Sequence, residues 1–110
     1  MKKIVLGAAV VTALAVAAPS LAATPVHRAT VGPGFTIKML TQPKKAGLAK
    51  IVVQDKSNAH NFHLRGPGGV NVKTSVSAVG TKTFTINFKK GVYKFVCDPH
   101  LFMKGQFTVR

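Results

Sequence analysis

The sequence predicts an all-β protein, a two-sheet Greek-key β-sandwich, preceded by a cleavable helical signal peptide. Three observations predict the sandwich. Apolar and polar residues alternate in short runs, turn residues recur at intervals of roughly eight to twelve residues, and no segment beyond residue 23 sustains a helical period.

The leader comes first. Lys2 and Lys3 precede an uncharged, largely apolar run from Ile4 to Ala18, followed by Pro19-Ser20-Leu21-Ala22-Ala23. A basic start, an apolar middle and a small-residue cleavage site are the parts of a secretory signal. Cutting is expected after Ala22 or Ala23, which leaves 23–110 as a single domain. An uncleaved anchor is the competing reading, because no charge falls between Lys3 and Arg28. A spanning helix needs about 20 apolar residues, and Pro19 cuts the run short of that. No cysteine follows the apolar run, which excludes a lipid-anchored start. The two-lysine leader implies export to the periplasm or beyond.

Residues 24–33 (TPVHRATVGP) read as a lead-in. Seven strands are then expected, at Phe35–Thr41, Ala49–Lys56, Ala59–Arg65, Val70–Thr74, Thr81–Phe88, Val92–Cys97 and Gln106–Arg110. The breaks carry turn chemistry: Gln42 to Gly47 with Pro43, Gly66-Pro67-Gly68-Gly69, Gly80, and Lys89-Lys90-Gly91. Alternation is clearest in Thr83-Phe84-Thr85-Ile86-Asn87-Phe88.

Charge is lopsided: 16 Lys and Arg stand against two acids, Asp55 and Asp98, for a formal +14. Such a field favours acidic partners or an anionic membrane surface and says nothing of the fold. The cations are scattered and no nucleic-acid motif accompanies them, so no nucleic acid is expected. The chain has one cysteine, Cys97, so no internal disulfide is available. A lone cysteine in an oxidising compartment is a liability unless buried or ligated.

In the strand Val92-Tyr93-Lys94-Phe95-Val96-Cys97, the cysteine shares its parity with Tyr93 and Phe95, and so points inward. Asp98-Pro99 breaks the strand, and a tight loop carries His100 and Met103 within reach of the same point. Thiolate, imidazole and thioether form a soft donor set; one more imidazole makes the His2Cys site with weak axial Met that holds copper. Two histidines are available in Asn58-Ala59-His60-Asn61-Phe62-His63-Leu64-Arg65. On a regular strand His60 shares a face with Phe62 and Leu64, whereas His63 travels with Arg65, and parity selects His60. His27, in the lead-in, is a poor candidate. Each residue alone suits a core role, but the four coincide. Zinc is the next metal to consider, but its structural sites use four strong donors and a thioether is a poor substitute.

The stretch Tyr93-Lys94-Phe95-Val96-Cys97-Asp98-Pro99-His100-Leu101-Phe102-Met103-Lys104-Gly105 resembles the ligand loop of the cupredoxins, the small blue-copper proteins, with the short spacing of their amicyanin-like members. Ala59-His60-Asn61-Phe62-His63 resembles the upstream-histidine segment of the same, plastocyanin-like family. The resemblance implies one type 1 copper held by His60, Cys97, His100 and Met103, with Asn61 bracing the loop. It further implies that His100 reaches the surface through an apolar patch with Pro99, Leu101 and Phe102, near which the Gly66–Gly69 turn is expected. Lys104 would steer acidic redox partner proteins towards a monomer.

The function expected is single-electron transfer by Cu(II)/Cu(I) cycling. An enzyme is not expected. A Cys–His nucleophile needs an accessible thiolate, two acids offer no acid–base pair, and His27 and His63 are too few for a second copper cluster. The alternatives are a periplasmic copper-binding, chaperone or resistance protein without electron relay, or a basic polyanion-binding domain.

Overall fold

The computed structural model describes residues 7–10, 12 and 23–110. The expected signal peptide therefore lies almost entirely outside the described residues. Among the described residues no helix is long and apolar enough to cross a membrane.

Among the described residues, eight strands form two four-stranded sheets. The first holds β1 (Val26–Val31), β2 (Ile37–Met39), β3 (Gly47–Asp55) and β6 (Gly80–Phe88), in the order β2-β1-β3-β6. The second holds β4 (His63–Gly66), β5 (Val70–Lys73), β7 (Gly91–Cys97) and β8 (His100–Val109), in the order β5-β4-β7-β8. A short 3-10 turn at Pro67–Gly69 joins β4 to β5.

The alternations place the inner faces as the sequence predicts. Ala49, Ile51, Val53 and Asp55 point inward from β3; Tyr93, Phe95 and Cys97 do so from β7. Sheet-on-sheet burial of alternate residues is what such patterns require. Aromatic rings fill the middle: Tyr93 stacks on Phe107 with centroids 5.3 Å apart, and Phe62 on Phe95 at the same separation. The Tyr93 hydroxyl accepts from Lys89 N at 2.8 Å and lies 3.1 and 3.3 Å from the carbonyls of Lys89 and Pro67, so a buried phenol is fully partnered.

Four expectations about the strands need correction. The lead-in is strand β1, paired in parallel with β3 from Val26↔Lys50 to Val31↔Asp55; Val26 is exposed and small Ala29 buried, so its alternation is faint, and its partner is remote in sequence. The first expected strand pairs only over Ile37–Met39, and Phe35 sits in the preceding turn. Ala59–Phe62 is irregular, with pairing starting at His63. The last strand begins at His100 rather than Gln106: Cys97 pairs with His100 while Val96 pairs with Lys104, so residues 101–103 form an outsized bulge.

A tight approach fixes the far end of this sheet. A Cβ at Gly66 would overlap the ring of Tyr93. The Gly66–Gly69 turn itself lies beside Gly91, at the opposite end of β7 from Cys97, and so not near the ligand loop as expected. Gly66→Ala should therefore destabilise the protein by about 1–3 kcal/mol, the usual cost of overpacking. Equilibrium urea unfolding checks this; unchanged stability would mean that the ring can move aside.

Candidate metal centre

Three chain segments meet at one end of the sandwich. Cys97 ends β7 and is fully buried; His100 opens β8 and is half-buried; His60 lies on the irregular segment between β3 and β4 and is 5 % exposed. Cys97 Sγ lies 3.6 Å from His60 Nδ1 and 3.7 Å from His100 Nδ1, and the two Nδ1 atoms are 2.9 Å apart. All three donor atoms fall within 4.8 Å of one another. Met103, at the end of the bulge, turns inward and is 2 % exposed, whereas Leu101 and Phe102 are 69 % and 67 % exposed.

His60 joins the group as the sequence predicts, but not through strand parity. Residues 60–64 are all buried, which no alternating strand would give. The backbone here is held by side chains instead. Phe62 N donates to Thr74 Oγ1 at 2.8 Å, Thr74 N donates to Phe62 O at 2.9 Å, and Asn61 Nδ2 donates to Thr74 O at 3.2 Å.

Asn61 also grips the ligand loop. Asp98 N donates to Asn61 Oδ1 at 2.8 Å and Asn61 Nδ2 donates to Asp98 Oδ2 at 2.8 Å, while Asn61 N points at Cys97 Sγ at 3.5 Å. Partial burial pushes the Asp98 carboxyl up, but hydrogen bonds from Asn61 and His63, with the positive charges of His63 and Lys73, hold it below the usual carboxylate range.

His63 stands apart from the donor group. Its Nδ1 lies 2.8 Å from Asp98 Oδ1, and its Nε2 lies 2.6 Å from Asn71 Oδ1 and 3.2 Å from Arg65 Nε. It is buried on the outer side of β4 because these partners close over it. His27 is far from the centre, on β1, with Nδ1 3.0 Å from Thr41 Oγ1. Asp55 lies close enough to His60 to feel its charge. Burial pushes its carboxyl up, partly offset by the Ser57 N–H and His60, and its Oδ2 has no partner among the described residues.

Sequence reasoning missed Phe35. From the turn 32–36, closed by Gly32 N donating to Thr36 O at 2.7 Å, its ring reaches 5.4 Å from His60, 5.2 Å from His100 and 5.5 Å from Phe102. No local signal marks it, because the first sheet brings it to the site.

The donor set suits a soft metal: one thiolate and two imidazoles converge, no carboxylate joins them, and a buried thioether follows on the same loop. Fold and site together define a small β-sandwich metal protein of the blue-copper type. The chain belongs to the plastocyanin/azurin family of copper-binding proteins, whose family model matches residues 27–110. Copper is its cofactor. It is 33 % identical to amicyanin-alpha of Methylorubrum extorquens over 67 residues, 59 % of this chain and 56 % of that protein, so the match spans little more than half of the relative's length. Among solved structures, reduced rusticyanin superposes with a TM-score of 0.60 at 24 % identity, over 79 % of each chain. Reduced auracyanin from Roseiflexus castenholzii gives 0.60 at 18 % identity, over 81 % of this chain and 98 % of that one. These likenesses confirm the cupredoxin fold.

Asn61→Ala removes a partner from the buried Thr74 carbonyl and frees the ligand loop. Urea unfolding of the copper-free protein should show a loss of roughly 1–3 kcal/mol; a loss near zero would mean that the loop is held by other contacts.

Proposed function

We propose that the protein is an exported type 1 copper protein that carries single electrons between redox partners. His60, Cys97, His100 and Met103 are its ligands, and residues 23–110 are its working domain once the leader is removed. The observation that carries this reading is the convergence of His60 Nδ1, Cys97 Sγ and His100 Nδ1 beneath the Asn61 N–H. Bound copper supplies a one-electron Cu(II)/Cu(I) couple.

The chain's part is to hold the donors while the charge changes. Asn61 ties the segment carrying His60 to the loop carrying Cys97 and His100, so the donors keep their spacing. The His100 edge is half-buried within a rim of Phe35, Leu101 and Phe102, beside the exposed Pro99. Such a rim excludes water and lets a partner approach closely. Lys104, exposed at its margin, steers acidic partners, and encounter rates fall as salt rises. Catalysis is not proposed, because the only thiol is fully buried and so shielded from a substrate. Periplasmic or extracytoplasmic placement rests on the leader at residues 1–22.

Optical and EPR spectra after Cu(II) addition test this, with Cys97→Ser alongside. The expected result is an intense visible thiolate-to-copper band, bleached by ascorbate and absent from the variant. Copper bound equally by the variant, without the band, would favour copper storage or handling over electron transfer.

A further inference from the structure

The outer faces of the two sheets treat their cations differently. On the first sheet no two exposed cations are directly paired: Lys38 pairs with Thr30, Arg28 with Val52, and Lys50 with Val26 and Thr85, so that Arg28 meets Lys38 and Lys50 only on the diagonal. On the second sheet Arg65 pairs directly with Lys94, both exposed. Side chains directly opposite on one sheet face have Cβ atoms about 5 Å apart, and like charges there are destabilising. Lys104 lies diagonally beside Lys94, since Lys94 pairs with Gln106 and Val96 with Lys104.

No acid of this chain offsets the cluster. The chain has two acids; Asp55 is buried on the other sheet, and Asp98 is engaged by Asn61 and His63. The surface here is also hollow: Arg65, Lys94, Lys104 and Gln106 border a shallow concavity of about 560 Å³ floored by Phe95, Val96 and Gly105. Arg65 Nε lies 3.2 Å from His63 Nε2, and His63 is held in turn by Asp98, the neighbour of Cys97.

We propose that this outer face of the β5-β4-β7-β8 sheet is the docking surface for a carboxylate-rich face of a protein redox partner. The cluster keeps a directly opposed like-charge pair that an incoming pair of carboxylates would neutralise. Its cations sit on a fixed strand lattice, which suits a folded surface better than a fluid one. Of the exposed apolar side chains only Val92 borders the concavity, too little to anchor in a bilayer; the larger Phe35, Leu101 and Phe102 lie at the metal end. The face also adjoins the ligand loop, because the Val96↔Lys104 rung is the last before Cys97. A partner seated here lies against the metal end of the molecule. This assignment rests on the electron-transfer reading for the nature of the partner, but not for the location of the site.

The test is an NMR titration of the Cu(I)-loaded protein with poly-L-glutamate, repeated with vesicles of phosphatidylglycerol and phosphatidylcholine. Two double variants lose equal charge: Arg65→Gln with Lys94→Gln, and Arg28→Gln with Lys50→Gln on the other sheet. Amide shifts should cluster at 63–65, 94 and 104–106. Affinity for poly-L-glutamate should fall about fivefold or more in the first variant and less than about twofold in the second. Equal weakening in both, shifts on the first sheet, or binding of vesicles without poly-L-glutamate would each overturn the proposal. The visible band of the oxidised samples reports separately on the copper centre. Its absence would refute the electron-transfer reading while leaving the mapped anion surface to be judged by the shifts.

Discussion

Everything at the metal end depends on the grip of one amide. Asn61 reaches from an irregular segment of one part of the chain to a hairpin tip 36 and 37 residues further on. Its backbone N–H faces the sulfur and its side chain meets Asp98 through both oxygen and nitrogen. Without that link the segment carrying His60 and the Cys97–His100 hairpin would be joined by the donor contacts themselves, by His63 on Asp98 and by packing. A buried polar network of this kind costs heavily if half-satisfied, and here each polar atom of Asn61 that faces the loop has a partner. The result is a donor set fixed by protein contacts rather than assembled by the metal.

The hairpin geometry completes the arrangement. Pro99 lacks an N–H and so suits the tip rather than a paired position. The bulge at 101–103 then separates two kinds of side chain that regular alternation could not. It sends Met103 inward and leaves two consecutive residues, Leu101 and Phe102, in solvent. A buried donor and an exposed apolar rim therefore come from neighbouring positions. Phe35 closes the rim from the other sheet, so both sheets contribute to the surface around His100.

Much of this was legible in the sequence where chemistry is local. Cys97, His100 and Met103 lie within seven residues, and β7 alternates cleanly enough to turn Cys97 inward. The central strands were legible for the same reason, because large apolar residues mark every second position. What was hidden depends on partners remote in sequence. β1 carries small residues and pairs in parallel with β3, so its pattern is faint. A strand period points to His60, but the segment does not follow that period; His60 is buried because Thr74 and Asp98 hold its neighbours. His63 belonged by parity to the solvent side, and it is indeed on the outer side of β4, but Asp98, Asn71 and Arg65 cover it. The bulge and Phe35 had no signal of their own.

The protein, not the metal, sets the positions of the donors. A crystal structure of the copper-loaded protein, with anomalous scattering measured at the copper edge, tests it most directly. One copper is expected, bound by His60 Nδ1, Cys97 Sγ and His100 Nδ1 with Met103 nearby, the Asn61 contacts intact, and donor shifts within about 0.5 Å of their positions here. Copper bound elsewhere, a ligand set that includes His63, or a hairpin that has to open away from Asn61 would contradict it.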